Sequence, residues 1–311
     1  MTESRVRVVA VCPVHNRRDL TLQCLDSLLV GSDLSTVDLK VIIVDDGSTD
    51  GTTEAIRATF PEVEVVEGDG TLWYTAGTNR GIEAALAHEP SFILAMNDDQ
   101  IFDTAAVGAM VDCAQRHPRS VIGALLVRWD DPTLVFQVDP QWETRFGGWH
   151  HWQHLRVADV PNHAWVVDLI VGNCLLYPVE AIQSAGLMDE KRFPMLGDAE
   201  YTPRMRRQGW QLLIEPTAIV ECQPNDPAPH IRGMGPRELY AQLWSDRRAA
   251  YNLPRTADGL IRGGPTRWQG ALAFVVLVGR MTSKAVGCAG QWPYAEPDRA
   301  AWRPRSPRSN P

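Results

Sequence analysis

The feature that most constrains the fold is a repeating beat of short apolar runs and helix-patterned segments through residue 129. Val6–Val11, Val37–Val44, "VEVVEGD", "SFILAMNDD" and "SVIGALLVRW" read as strands. Between them, Leu20–Val30, Thr52–Ala58, "GTNRGIEAALAHE" and Thr104–Arg116 carry helical spacing, the third beginning as a loop. The runs are nearly continuous in apolar residues, as expected of strands buried on both faces. The expectation is an α/β fold with a mostly parallel central sheet flanked by helices. With 311 residues, 44% of them hydrophobic, the chain can fill such a core.

After Trp129 the beat breaks. Residues 130–165 are rich in Trp, His and Pro; a strand "WVVDLIVGNCLLY" follows, then a helix over Val179–Ala185. "GLMDEKRFPMLGDAEYTPRMRRQGW" leads into a further strand, "QLLIEPTAIV", with Pro203 suited to the first turn of a helix rather than its middle. Beyond Cys222 the clearest signal is a helix over Glu238–Tyr251, and past Gln291 a Pro- and Arg-rich segment reads as a disordered tail. No fixed-period repeat is visible.

A net charge of −8 argues against a chain whose main task is gripping a nucleic-acid backbone. A phosphate-bearing substrate would need local help from Arg, backbone N–H groups or a metal. Cys12, Cys24, Cys113, Cys174, Cys222 and Cys288 are widely spaced, form no CxxC and read as reduced core thiols. The opening "MTESRVRVVAVCPVHNRRD" shows no signal-peptide h-region, and the longest late apolar run, "GALAFVVLVG", is too short to span a bilayer. A cytoplasmic protein is expected, with attachment at the inner face of the membrane left open. Core packing or a dimer contact is preferred over membrane contact for the segment holding that run.

Three acidic clusters carry the chemistry. Asp45-Asp46 and Asp98-Asp99 both close apolar strands, so in an open parallel sheet they share the edge where ligands collect. "DDGSTDGT" after the first strand end suits either a helix-capping turn or a carboxylate facing a nucleotide, and both can hold at once. Asp98-Asp99 suits a hard cation, which takes carboxylates together with substrate phosphates; an Asx-type turn is the plain reading. Asp198 and Glu200 suit proton abstraction from a hydroxyl, or acids favoured at a helix N-terminus. His150 and His154 stand four apart without an acidic or Cys partner at metal spacing, and a substrate-facing loop is preferred there. His230 completes a metal shell or is a surface histidine.

In their order these elements resemble the inverting, GT-A type glycosyltransferases of family 2. The matching stretches are "VVAVCPVHNRRDLTLQCLDSLL", "VIIVDDGSTDGT", "GDGTLWYTAGTNRGI", "FILAMNDD", "IVGNCLLYPVEAIQSAGLMDE" and "FPMLGDAEYTPRMRRQGW". The tryptophan-bearing "GTLWYTAGTNRGI" is similar to the bacterial subgroup that contains rhamnosyltransferases. The resemblance implies donor contacts from Pro13, Asn16, Arg17, Asp45, Asp46, Trp73, Asn79 and Asp98, with Arg80 shaping the same pocket. It implies Mn²⁺ or Mg²⁺ on Asp99 and His230, and Asp198 as general base. Glu200, Trp149 and Trp165 fall on the acceptor side or support it. The implied partners are a UDP-, dTDP- or GDP-linked sugar and a hydroxyl acceptor, either a glycan, a lipid-linked sugar or a small aglycone. A homodimer remains open.

Two departures from the family pattern stand out. Gly197 occupies the position of the glutamate that usually precedes the base, and Leu72-Trp73-Tyr74 replaces a glycine-rich run. Trp73 could stack on a base or sugar, or pack under the sheet. "QxxRW", the mark of processive members, is broken because Gly264 stands where its glutamine would be, so one sugar per encounter is expected. The domain expectation is a catalytic unit over 1–222, with a nucleotide-sugar half (1–129) and an acceptor half (130–222). A helical extension over 223–290 and the tail 291–311 follow. The competing classes are a nucleotidyltransferase or other nucleotide-sugar enzyme, and a non-catalytic nucleotide-sugar or carbohydrate-binding module. The absence of GxGxxG after the first strand disfavours a Rossmann dehydrogenase.

Overall fold

The structure is a computed structural model that describes residues 5–150, 155–224 and 234–285. The first strands form where expected: β1 (Val6–Val14), β2 (Val37–Asp45), β3 (Glu64–Glu67) and β4 (Phe92–Met96). Helices α1 (Arg18–Leu29), α2 (Thr52–Thr59) and α3 (Trp73–Leu86) connect them. β5 (Gln100–Phe102), α4 (Ala106–Arg116) and β6 (Ser120–Arg128) complete the first half. β1 pairs in parallel with both β2 and β4, and β2 with β3, so the C-terminal ends of these strands share one edge. Alternate residues of β1 explain the continuous apolar run. Val8, Ala10 and Cys12 pack toward α1, α2 and α4, while Val9 and Val11 pack toward α3 on the other face.

The second half is less regular. The described residues between 130 and 164 include three short strands, β7 (Val135–Gln137), β8 (Gln141–Glu143) and β9 (Gly148–His150), the last two paired as a small separate ribbon. The stretch expected as one strand, "WVVDLIVGNCLLY", breaks into β10 (Trp165–Val166) and β11 (Cys174–Pro178), with residues 167–173 as a loop. β11 runs antiparallel between β4 and β6, making the sheet mixed, in the order β10-β12-β6-β11-β4-β1-β2-β3. Here β12 is Gln211–Cys222, preceded by α5 (Val179–Ala185) and α6 (Asp198–Arg207).

Pro203 sits inside α6, not in its first turn, because the helix already begins at Asp198. A proline there cannot donate to the Ala199 carbonyl. The single helix expected over 238–251 is replaced by α7 (Pro236–Tyr240), a wide turn, and α8 (Leu253–Gly263). Asn252 caps α8 by accepting the Arg255 N–H at 2.9 Å. The last described helix is α9 (Arg267–Ala285). Among the described residues, Cys12, Cys24, Cys113, Cys174 and Cys222 are buried free thiols, and no helix is long and apolar enough to cross a membrane. Cys288 lies outside the described residues.

Candidate active site

A cleft of about 470 Å³ opens at the shared strand edge, lined among others by Pro13, Arg17, Asp46, Trp73, Asp98, Asp99 and Asp198. Topology explains why these distant positions meet. β1 and β4 deliver residues 13–17 and 97–99 from their C-terminal ends. Because β11 runs the other way with Cys174 opposite Met96, it delivers Gly172 and Asn173 to the same edge from its N-terminal end. Asn97 and Asn173 join across the strands, the Asn97 N–H donating to the Asn173 carbonyl at 3.2 Å.

The first acidic pair divides its labour. Asp45 does not line the cleft; it accepts the Ser48 N–H at 2.9 Å and the Thr53 hydroxyl, closing the turn into α2. That turn needs Gly47 at φ +70°, a conformation costly for residues bearing a Cβ. Asp46 does reach the cleft, but its carboxylate accepts three backbone N–H groups, from Gly70 at 2.8 Å, Leu72 at 3.2 Å and Trp73 at 3.0 Å. Asp46 thereby fixes Trp73 at φ +61°, a left-handed conformation unusual for a bulky residue. The Trp73 ring is 40% exposed, with the Arg248 guanidinium 4.3 Å from its centroid. It faces the cleft rather than packing under the sheet.

Asn16 lies at φ +52°, accepts the Thr49 N–H at 2.7 Å and contacts His15 Nε2 through Nδ2 at 3.0 Å. His15 lies on the cleft wall, with Nδ1 2.7 Å from the Asp46 carbonyl oxygen. Since a carbonyl only accepts, Nδ1 must carry a proton, and the Asn16 amide then donates to Nε2. Asn16 is thus a brace behind the cleft.

Asp98 and Asp99 converge on one cation. Arg17 places its two terminal nitrogens 3.1 Å from Asp98 Oδ1 and 3.1 Å from Asp99 Oδ2. Burial nevertheless pushes the Asp98 carboxyl up to about 6, with Arg17 opposing the rise and Asp99 adding to it. These two carboxylates, each held here by a separate Arg17 nitrogen, are hard oxygen donors of the kind a divalent ion takes alongside phosphates. No group of three His, Cys, Asp or Glu side chains that could hold a metal is found among the described residues. His230 and His154 lie outside the described residues. His150 sits in β9, where burial lowers its pKa.

Asp198 opens α6 and is 5% exposed. Burial raises its pKa, while the Gly172 N–H, donating to Oδ2 at 2.6 Å, opposes the rise. Gly172 is wedged in place: a Cβ there would lie 2.2 Å from the Tyr74 hydroxyl oxygen and 2.8 Å from Asp198 Cβ. Tyr74 itself donates to the Gly172 carbonyl at 2.8 Å. A buried carboxylate of raised basicity, oriented by one backbone N–H, is suited to taking a proton.

Four other positions named from the sequence lie elsewhere. Glu200 faces away from the cleft, 3.2 Å from Arg204 and 3.7 Å from Arg207, and burial raises its pKa. Asn79 ties α3 to the segment before α6, bonding the Met188 backbone both ways and Glu190 at 2.9 Å. Trp165 is fully buried in the core, and Trp149 packs edge-on against Trp142, 5.3 Å between centroids. Sequence reasoning missed His15, Tyr74, Gly172 and Asn173. The bend after His15 had one local signal, Asn16, a residue type enriched at positive φ, and the other contacts depend on the antiparallel placement of β11.

Comparison with known proteins adds an independent line. Residues 9–182, more than half of the chain, match the family described as Glycosyl transferase family 2. Two curated relatives, both named N-acetylglucosaminyl-diphospho-decaprenol L-rhamnosyltransferase, come from Mycobacterium tuberculosis strains CDC 1551 and H37Rv. Each is 26% identical over 225 residues, covering 62% of this chain and 71% of the relative. Among solved structures, GalNAc-T7 with UDP, GalNAc and Mn²⁺ superposes with a TM-score of 0.57 at 12% identity. That match takes in 90% of this chain but only 55% of GalNAc-T7. The mannosyltransferase PcManGT from Pyrobaculum calidifontis, with GDP-Man and Mn²⁺, gives 0.53 at 20% identity, covering 93% of this chain and 77% of PcManGT. These two likenesses establish the shared fold.

Proposed function

The chain belongs to glycosyltransferase family 2, and from that premise we propose that it moves one sugar from a nucleoside diphosphate to an acceptor hydroxyl with inversion. The observation that carries this reading is the single cleft lined by Asp46, Asp98, Asp99 and Asp198. Asp198 takes the proton of the acceptor hydroxyl while that oxygen attacks the anomeric carbon and the bond to the diphosphate breaks on the opposite face. A single displacement inverts the configuration, so an α-linked donor gives a β-linkage and the reverse. Gly172 holds the base in position, and the apolar surroundings that raise its pKa strengthen it as a proton acceptor.

On the donor side, Trp73 offers an exposed ring face for a base or sugar, and Arg17 supplies positive charge at the phosphates. Asp98 and Asp99 are the residues that would hold Mn²⁺ or Mg²⁺. Bound there, such an ion would neutralise charge on the departing diphosphate. The names of the Mycobacterium tuberculosis relatives make an L-rhamnosyl donor and a lipid-diphosphate-linked sugar the first pair to test. The test is a panel of UDP-, dTDP- and GDP-sugars with Mn²⁺, following nucleoside diphosphate release and then acceptor-dependent transfer. One nucleotide class should support release that an acceptor accelerates. Failure of every nucleotide sugar to bind would overturn the proposal.

A further inference from the structure

The cleft sets a charge problem of its own. Four carboxylates line it, from Asp46, Asp98, Asp99 and Asp198, against one arginine and no lysine among the described lining residues. That arginine is already engaged. Arg17 holds Asp98 Oδ1 and Asp99 Oδ2 through separate terminal nitrogens, each at 3.1 Å. Among the described residues its guanidinium has no other hydrogen bond or ion pair.

The backbone and the side chain of Arg17 are held very differently. Its carbonyl accepts both the N–H and the hydroxyl of Thr21 at 2.9 Å, at the start of α1. On either side, the Asn16 N–H donates to the Ser48 hydroxyl at 2.8 Å and the Arg18 N–H to the Asp50 carboxylate at 3.1 Å. The backbone is thus pinned to the turn after β2. The side chain, 38% exposed on the cleft wall, is bonded only at its tip. It can exchange one anion for another without moving the backbone, and its planar fork fits carboxylates and phosphates alike.

One guanidinium against two carboxylates leaves a single unmatched negative charge. A divalent ion arriving alone would overshoot that charge, and would either lie beside the guanidinium or strip it from its partners. A diphosphate removes the conflict. It gives the guanidinium a second anion of suitable geometry and gives the ion further oxygen ligands. We propose that Arg17 is a built-in counter-ion of Asp98 and Asp99, holding divalent metal off the donor-free cleft and passing to the diphosphate as metal and donor enter together. The passage to the diphosphate rests on the proposed function, whereas the competition with metal does not.

The test follows Mn²⁺ binding directly, by electron paramagnetic resonance of the free ion. Working at about pH 8 keeps the Asp98 carboxyl, which titrates at about 6, ionised. Without nucleotide, Arg17→Met should bind Mn²⁺ roughly tenfold more tightly than the wild type. Arg17→Lys, which keeps a charge but loses the fork, should fall between them, and it carries the comparison if Arg17→Met unfolds. Adding UDP, dTDP or GDP should tighten Mn²⁺ binding to the wild type by roughly 5–150-fold, the ordinary range for two coupled sites, and to Arg17→Met by clearly less. Equal or weaker Mn²⁺ binding by the folded variants would overturn the proposal. So would a wild-type Mn²⁺ affinity left unchanged by a nucleoside diphosphate that itself binds. If no nucleoside diphosphate binds while Arg17→Met still gains Mn²⁺ affinity, the transferase reading fails and the counter-ion stands.

Discussion

Two walls of one cleft hold their carboxylates in opposite ways. On the wall built by β1, β2 and β4, nearly every acidic oxygen is already answered: Asp46 by three backbone N–H groups, Asp98 and Asp99 by the two arms of Arg17. On the wall built by the 167–173 loop and α6, Asp198 has one strong N–H partner, and burial dominates its ionisation. The residue type is the same, but surroundings divide its work. Where charge is matched the wall is suited to holding an anionic donor through fixed groups. Burial is the largest influence on Asp98 as well, but Arg17 opposes it there. At Asp198 only backbone N–H groups oppose it, so that carboxylate is left without a cation and free to take a proton.

The base aside, the sharpest way to break this contrast is Gly172→Ala, which forces a methyl between Tyr74 and Asp198. A displacement of about 1 Å can cost on the order of 10²-fold, so turnover should fall about that much while donor affinity changes little. Steady-state kinetics beside nucleotide titration would show it. Equal losses in both would mean the two walls do not act separately.

Asp98 comes next. Its carboxyl titrates near 6 in the folded chain against 3.8 ordinarily, so the native state binds the extra proton between those values. That contribution to stability is fully present below about pH 4 and is lost as pH rises through about 6. The gap in unfolding free energy between wild type and Asp98→Asn should therefore shift toward the variant by on the order of 2–3 kcal/mol across that window. Denaturant titrations of the metal-free proteins at pH 4 and pH 7 measure it.

Asp46→Ala strips the acceptor from three N–H groups in the turn before α3 and should cost about 1–3 kcal/mol. Calorimetric unfolding would record it, and donor binding should weaken with the loss of order at Trp73. The smallest effect is expected for Arg248→Ala. A partly exposed cation–π contact contributes about 0.5–1 kcal/mol, so the donor KM should rise only a fewfold with kcat unchanged.

Much of the donor wall was legible in the sequence, because period and strand order place Asp46, Asp98 and Asp99 on one edge without side-chain detail. The roles were less legible. Asp45, Asn16 and Asn79 spend their hydrogen bonds on the scaffold, and the choice between brace and ligand depends on where Thr53, Thr49 and Met188 lie in space. The acceptor wall was harder still. "WVVDLIVGNCLLY" has the composition of a single buried strand, yet it breaks where Ile170 and Gly172 bond to α6, through Thr202 at 2.9 Å and Asp198. Tertiary contacts override local preference there. Glu200 shows the same limit, since its two arginine partners on α6 were visible in the sequence but its direction away from the cleft was not.

The central claim is that one buried carboxylate acts on the acceptor while the facing wall holds the donor. The most direct test is Asp198→Asn, a change of nearly equal volume, assayed in parallel for nucleotide-sugar affinity and for transfer. The account predicts donor affinity within a fewfold of wild type and transfer reduced by about 10²–10⁴-fold. A well-folded Asp198→Asn protein that transfers sugar at the wild-type rate would contradict it.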